Sequence, residues 1–245
     1  MKALVLMMGL VAACGNSNNG NTGDDTGGMP DAKVFMDAPP VVPGSITING
    51  KTTEAGLSST SPVAGTTLTL YASSDQQHAL GMATSDASGG YSITVMSAGP
   101  IDGYLVASHS GYVDVYFYPV VPFSGNYTDG DINMITPNNM GLLSQFSGGN
   151  QMSGKGLVAL AVIDASGNPV AGATVSSTPA ASAYRYNSNT GIPSSSATTT
   201  SSDGVAFMFN VSGQITVTAS KSGMTFKSHM IEARGDKMTT TAVSP

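Results

Sequence analysis

The chain has 245 residues, a formal net charge of −6, only 10% charged residues and a single cysteine. An acidic balance with no basic stripe argues against nucleic acid as a partner, and the scarcity of helix formers beside abundant Gly, Ser and Thr points to an all-β protein. With one cysteine there is no intrachain disulfide, so folded domains must stand on their hydrophobic cores.

Residues 1–14 read MKALVLMMGLVAAC. Lys2 supplies a positive start, and the apolar run from Ala3 to Ala13 is too short to span a bilayer but long enough for a signal-peptide core. The run ends in Val11-Ala12-Ala13-Cys14, which resembles the bacterial lipobox: an aliphatic residue, two small residues, then cysteine. The resemblance implies that residues 1–13 are a signal peptide and that the Cys14 thiol carries a diacylglycerol. Further acyl chains, typically palmitate, make such an anchor stable where a single chain is not. The alternative is an ordinary secretory signal with a chance cysteine. Gly15, where the sorting pattern disfavours Asp, implies the outer membrane, on its periplasmic or its surface face.

From Cys14 to residue 44 the chain is rich in Gly, Asn, Asp and Pro. Such a segment buries too little apolar surface to offset its ordering entropy and as a coil would reach about 30 Å. Asp24, Asp25, Asp31 and Asp37 read as a solvated acidic tether rather than a metal site.

Beyond the tether lies an internal repeat. PVAGTTL at 62–68 matches PVAGATV at 169–175, and ASHSG at 107–111 matches ASKSG at 219–223. A separation of about 110 residues marks a repeated domain, not a solenoid unit. Each copy also holds a Gly-containing turn before an alternating strand: YSITV at 91–95 and VAFMFNV at 205–211. Strand signals fall near 45–50, 65–71, 78–84, 91–96, 103–109, 112–118 and 130–135, then near 156–164, 172–178, 197–200, 204–210, 213–220, 225–232 and 238–243. In QITVTAS (214–220), Ile215, Val217 and Ala219 share one face, opposite Thr216, Thr218 and Ser220, as in a half-buried strand. Between the copies, Thr136-Pro137 reads as an N-cap and first helical residue. Met140, Leu143 and Phe146 would share a core-facing side, and Gly148-Gly149 would stop a helix of about two turns.

The second copy resembles the carboxypeptidase regulatory-like family. The match runs from Ala161 through Pro169-Val170-Ala171-Gly172-Ala173-Thr174-Val175, then Ser201-Ser202-Asp203-Gly204 with Phe207, then Ser222-Gly223-Met224; the first copy matches more weakly, best at Ser110-Gly111-Tyr112. The resemblance implies transthyretin-like, Ig-like sandwiches of seven strands. Its motifs are turn and core residues, so they bear on fold and not on function. The expected organisation is a signal peptide (1–13), a lipidated cysteine with a disordered tether (14–44), β-sandwich 1 (45–136), a helical linker (137–153) and β-sandwich 2 (154–245).

Candidate chemistry is sparse. His78, His109 and His229 lie on separate strands without ligand-type spacing. Asp129, Asp131 and Asn133 alternate like the first ligands of a calcium loop, but Met134 and Met140 stand where glycine and glutamate are needed. The polar insert 177–198 contains Tyr184, Arg185 and Tyr186, residue types common in binding hot spots, and reads as a loop. Tyr112, Tyr116, Phe117 and Tyr118 read as packing. The function implied is a non-enzymatic, membrane-anchored lipoprotein, without cofactor, whose sandwiches are structural or bind glycan or envelope protein. The alternative is a metal-dependent enzyme or metal-binding protein on the same sandwich, which requires the histidines to converge.

Overall fold

The computed structural model describes residues 44–55 and 61–245, so the expectations for the signal peptide, Cys14 and most of the tether lie outside the described residues. In chain order the elements are β1 (Gly44–Glu54), β2 (Thr67–Ala72), β3 (Asp75–Thr84), β4 (Gly90–Ser97), β5 (Gly103–Ser108), β6 (Val115–Phe117), β7 (Asn126–Tyr127), β8 (Ile132–Met134), α1 (Pro137–Ser147), β9 (Gly156–Val162), β10 (Thr174–Thr178), β11 (Ala183–Asn187), β12 (Pro193–Ser194), β13 (Val205–Val211), β14 (Gly213–Lys221), β15 (Met224–Thr225), β16 (His229–Ala233) and β17 (Met238–Val243). The described residues are all-β apart from one helix.

Three sheets result. β1 pairs antiparallel with β4 and parallel with β7 and β8. β14 lies between β10 and β16, with β15 folding back on its end. The third sheet has nine strands in the order β12-β11-β13-β9-β17-β6-β5-β2-β3. β17 is its joint: Met238 pairs in parallel with Leu157 of β9 on one side and with Val115 of β6 on the other. Two sandwiches are present, as expected, and they share this sheet. A tandem of separate seven-stranded units did not anticipate that.

Side chains alternate across a strand, and each sandwich takes a different face of the shared sheet. Leu68, Leu70, Leu105 and Val115 pack with Ile46, Ile48, Ile93 and Val95 in the first core. Val158, Leu160, Ala206 and Met208 pack with Val175, Ile215, Val217 and Ile231 in the second. β5 shows the division, because Leu105 enters the first core and Tyr104 the second. α1 covers β9 and β13 on the side opposite the second core, where Leu157, Phe207 and Phe209 pack with Met140 and Leu143. With both faces covered, β9 and β13 (GLVALAV and VAFMFNV) need apolar residues almost throughout.

The sequence repeat reappears as a repeated hydrogen-bond network. Ser85 Oγ donates to Val63 O at 2.8 Å, and Thr200 Oγ1 donates to Val170 O at 2.7 Å. Each hydroxyl also accepts a backbone N–H, from Thr66 and Ala173 respectively, at 2.9 Å. The Thr52 and Val162 amides donate to Gly89 O and Gly204 O, both at 2.8 Å. Both glycines are left-handed, at φ 78° and 68°. Buried Ser and Thr hydroxyls thus tie the Pro-Val-Ala-Gly turn to the following strand in each copy.

α1 begins as expected, with the Thr136 hydroxyl accepting from the Asn139 amide at 3.1 Å, and ends at left-handed Gly148. It is one turn longer than expected. Its face is also less buried: Met140 and Leu143 pack inward, while Phe146 is 52% exposed. The sharpest correction falls on 177–198. No strand forms at 197–200, and the insert holds the β11–β12 hairpin that edges the nine-stranded sheet. Tyr184, Arg185 and Tyr186 sit in a Ser-, Thr-, Pro- and Gly-rich stretch whose composition gives a loop signal that outweighs so short a strand.

Candidate functional site

A largely apolar concavity of about 360 Å³ lies between α1 and the shared sheet. That is the lower end of the range for small-molecule sites. Its floor is one side of three neighbouring strands: Ala159 and Ala161 on β9, Val205 and Phe207 on β13, Met238 and Thr240 on β17. Leu142, Leu143 and Phe146 of α1 form the roof, and Ile192 and Pro193 of the hairpin form one rim. The space exists because β9 carries Val158, Leu160 and Val162 toward the second core, whereas on the helix side only Leu157 is large and Ala159 and Ala161 leave the middle of the strand shallow. Among the described residues, no Asp, Glu, Lys, Arg or His lines it.

Asn187, only 8% exposed, closes the hairpin end of the groove. Its Nδ2 donates to Asp203 Oδ2 at 2.7 Å. Asp203 is itself fixed, its Oδ1 accepting from Ser201 Oγ at 2.7 Å and from the Val205 amide at 3.0 Å. Turning the amide over would set oxygen against carboxylate, so the orientation is determined. Asn187 Oδ1 is then the buried side-chain polar atom left without a partner among the described residues. Such an acceptor normally finds a donor.

The three residues expected to form a binding loop lie on β11, and none of them lines the groove. The Tyr186 hydroxyl accepts from the Val175 amide at 3.0 Å, and the Tyr184 hydroxyl accepts from the Ser177 and Ala181 amides at 3.2 and 3.0 Å. Arg185 donates from Nε to Ser147 O at 2.8 Å and from Nη2 to Gly148 O at 2.9 Å. The guanidinium therefore caps the last carbonyls of α1, where positive charge is favoured. At the other end of the helix, Asn139 Nδ2 donates to Ala55 O at 3.2 Å. The roof is pinned at both ends.

The histidines are dispersed. His78 Nδ1 meets Asp75 Oδ2 at 2.8 Å on the exposed β2–β3 hairpin, His109 Nδ1 meets Ser110 O at 2.7 Å, and His229 Nδ1 meets Thr241 Oγ1 at 2.9 Å. Among the described residues no group of three or more His, Cys, Asp or Glu side chains is placed to hold a metal. Asp131 and Asn133 instead staple β8 to β1, accepting from the Lys51 amide at 2.8 Å and from Thr53 Oγ1 at 2.9 Å.

A second cluster was not foreseen. Arg234, just past β16, lies 4.2 Å from the Tyr116 ring centroid and 5.1 Å from that of Tyr104. It donates to the Tyr118 hydroxyl at 3.1 Å, Gln76 Oε1 at 3.0 Å and Glu232 Oε2 at 2.6 Å. The tyrosines and Gln76 come from the first half of the chain, so Arg234 clamps the two sandwiches together. Burial pushes the Tyr104 phenol up to about 12, against the opposing pull of Arg234, which keeps it neutral at ordinary pH. Three tyrosines around one arginine were visible in the sequence only as members of separate strand signals.

No family model matches the chain, and no curated protein matches it. Among solved structures it is similar to the Bacillus anthracis TIE protein, at 12% identity and a TM-score of 0.28 over 80% of this chain and 33% of that one. It spans about a third of that protein's length. The minor pilin GBS52 of Streptococcus agalactiae aligns at 12% identity and a TM-score of 0.27, over 81% and 94% of the two chains. The shaft pilin SpaA of Lactobacillus rhamnosus GG aligns at 9% identity and a TM-score of 0.24, over 83% and 98%. Likeness at these TM-scores does not establish a shared fold or activity.

Proposed function

We propose that this chain is a non-enzymatic lipoprotein of the bacterial cell envelope, anchored through Cys14, whose two sandwiches form one rigid binding scaffold. The observation that carries the reading is β17, which hydrogen-bonds in parallel to strands of both halves. Halves that share a sheet move as one body, which suits a projecting scaffold and not a hinge. We take residues 45–136 and 154–245 as the two units and 137–153 as the segment between them. The matched Ser85 and Thr200 networks support reading both units as relatives of the carboxypeptidase regulatory-like module.

Membrane attachment is assigned to the lipobox-like Val11-Ala12-Ala13-Cys14. Among the described residues no helix is long and apolar enough to cross a membrane. Envelope glycan or protein is the proposed partner class for the exposed sandwich ends, with the outer membrane as the proposed location. The full chain expressed in a bacterial host with labelled palmitate should incorporate label and fractionate with membranes, and Cys14→Ser should abolish both and leave an unprocessed precursor. Unchanged labelling and membrane retention in Cys14→Ser would overturn the assignment.

A further inference from the structure

We infer that the end of the first sandwich at which the described chain begins rests on a bilayer surface, with Met96 and Val121 dipping into the lipid headgroup boundary. The inference rests on reading Cys14 as an anchor, and it adds an orientation to that reading. Three segments build this end. Gly44 pairs with Ser97 at the end of β4, and the Thr47 amide donates to Gly125 O at 2.8 Å. Ile101 bridges to Phe123, its amide donating to Phe123 O at 2.8 Å. The start of β1, residues 97–102 and residues 119–125 therefore meet at one end of the sandwich.

Met96 is 70% exposed, more than any other large hydrophobic side chain among the described residues, and Val121 is 59% exposed. Ala98, Pro100 and Pro122 beside them are exposed as well. Residues 96–102 and 119–126 contain no Lys or Arg, and Asp102 is their one charge. Single apolar side chains scattered over a surface are ordinary, but here they share one uncharged tip. The course of the chain says what that tip meets. Gly44 lies thirty residues beyond Cys14. A coil of that length spans about 30 Å root-mean-square, and β1, with 11 residues, is itself about 36 Å long. A lipid on Cys14 thus brings this end to the bilayer before the far end. It holds the tip there at an effective concentration of the order of millimolar, at which a contact too weak to retain a free protein is populated. Without a cation on these loops the contact is hydrophobic and needs no anionic lipid. The far end of the scaffold stays turned toward a partner.

The chain has no tryptophan, so a single introduced one reports its own surroundings. Val121→Trp and Met152→Trp are made separately in residues 14–245. Met152 is also exposed, at 52%, but it lies at the opposite end, where the Lys155 amide donates to its carbonyl and β6 and β17 begin. Each protein is coupled through Cys14, its one thiol, to a maleimide lipid in phosphatidylcholine vesicles whose acyl chains are brominated near the headgroup. The Val121→Trp emission should move to shorter wavelength and fall by about half, because an interfacial side chain sits about 5–10 Å deep, within reach of the bromines. Met152→Trp should keep the emission it has on unbrominated vesicles. Met96→Asp added to Val121→Trp should restore most of the lost emission, since its carboxylate has to stay hydrated. Replacing part of the phosphatidylcholine by phosphatidylglycerol should not deepen the quenching. Circular dichroism confirms that each variant folds. Equal quenching of the two reporters, no quenching of Val121→Trp, indifference to Met96→Asp, or contact only with anionic lipid would each overturn the inference. The anchor is installed chemically, so none of these outcomes depends on lipidation in the cell. A failed palmitate experiment leaves the tip result readable, and a tip that stays in water leaves the Cys14 assignment standing.

Discussion

Replacing Arg234 tests whether the two sandwiches are held as one body by chemistry as well as by backbone pairing. The guanidinium stacks on Tyr116 at 4.2 Å, and such a contact contributes about 0.5–2 kcal/mol depending on desolvation. Its hydrogen bonds to Tyr118 at 3.1 Å and Gln76 at 3.0 Å are charge-assisted, the kind that contributes about 1.5–3 kcal/mol. The ion pair with Glu232 adds less, because that carboxylate is 32% exposed and can rehydrate. Non-additivity trims the sum, so Arg234→Met should cost about 2–4 kcal/mol. Arg234→Lys keeps the charge but loses the planar fork and most of the stacking, and should recover less than half of the loss. Urea unfolding of residues 44–245, followed by tyrosine fluorescence and circular dichroism together, measures both. The wild type should unfold in one coincident transition, since β17 belongs to both halves. A loss below about 0.5 kcal/mol for Arg234→Met, within the ordinary range for surface changes, or full rescue by lysine, would refute the clamp.

The duplicated turn glycines give an independent check on the repeat. A Cβ at Gly204 would sit 2.5 Å from Val162 O, and one at Gly89 would sit 2.3 Å from Thr52 O, both at positive φ. Gly204→Ala and Gly89→Ala should therefore each cost more than about 1 kcal/mol in the same unfolding assay, whereas Gly172→Ala, with open space at its Cβ, should pay only the backbone strain. Burial holds the His229 imidazole below its ordinary value. The unfolded chain therefore takes up that proton first, and stability should fall as pH drops from about 7.5 through 6.5 toward 5. His229→Gln should flatten this slope, with urea midpoints at several pH values as the readout. The shifted carboxylates Asp75, Asp86 and Asp164 are all lowered from an already acidic value, so they act below this window.

The strands were legible where one side was wet. QITVTAS alternates because β14 faces the second core with Ile215, Val217 and Ala219, all buried. Turns were legible through glycines that the backbone needs at positive φ, and α1 through Thr136, Pro137 and Gly148. The β11–β12 hairpin was missed because its polar side chains make internal bonds, and residue type alone does not separate a tyrosine that binds a partner from one that accepts a backbone N–H. The groove was half visible. Ala159 and Ala161 alternate with larger residues in GLVALAV, a pattern that leaves one side of β9 shallow, but only the position of α1 turns that shallowness into an enclosed space.

What no local pattern carried was the parallel pairing of β17. Its residues, MTTTAV, give a strand signal but say nothing of a partner. β6 and β9 belong to different domain copies, and only the fold brings both to the same strand. That pairing fixes the rest of the arrangement. Once β17 joins the halves edge to edge, each sandwich must close on whichever face its own second sheet can reach, and the two close on opposite faces. The side of β9 and β13 turned away from the second core is then left without a covering sheet. α1 covers it, pinned by Arg185 and Asn139, and one short helix cannot fill the width of three strands. The apolar groove is therefore a geometric consequence of sharing a sheet.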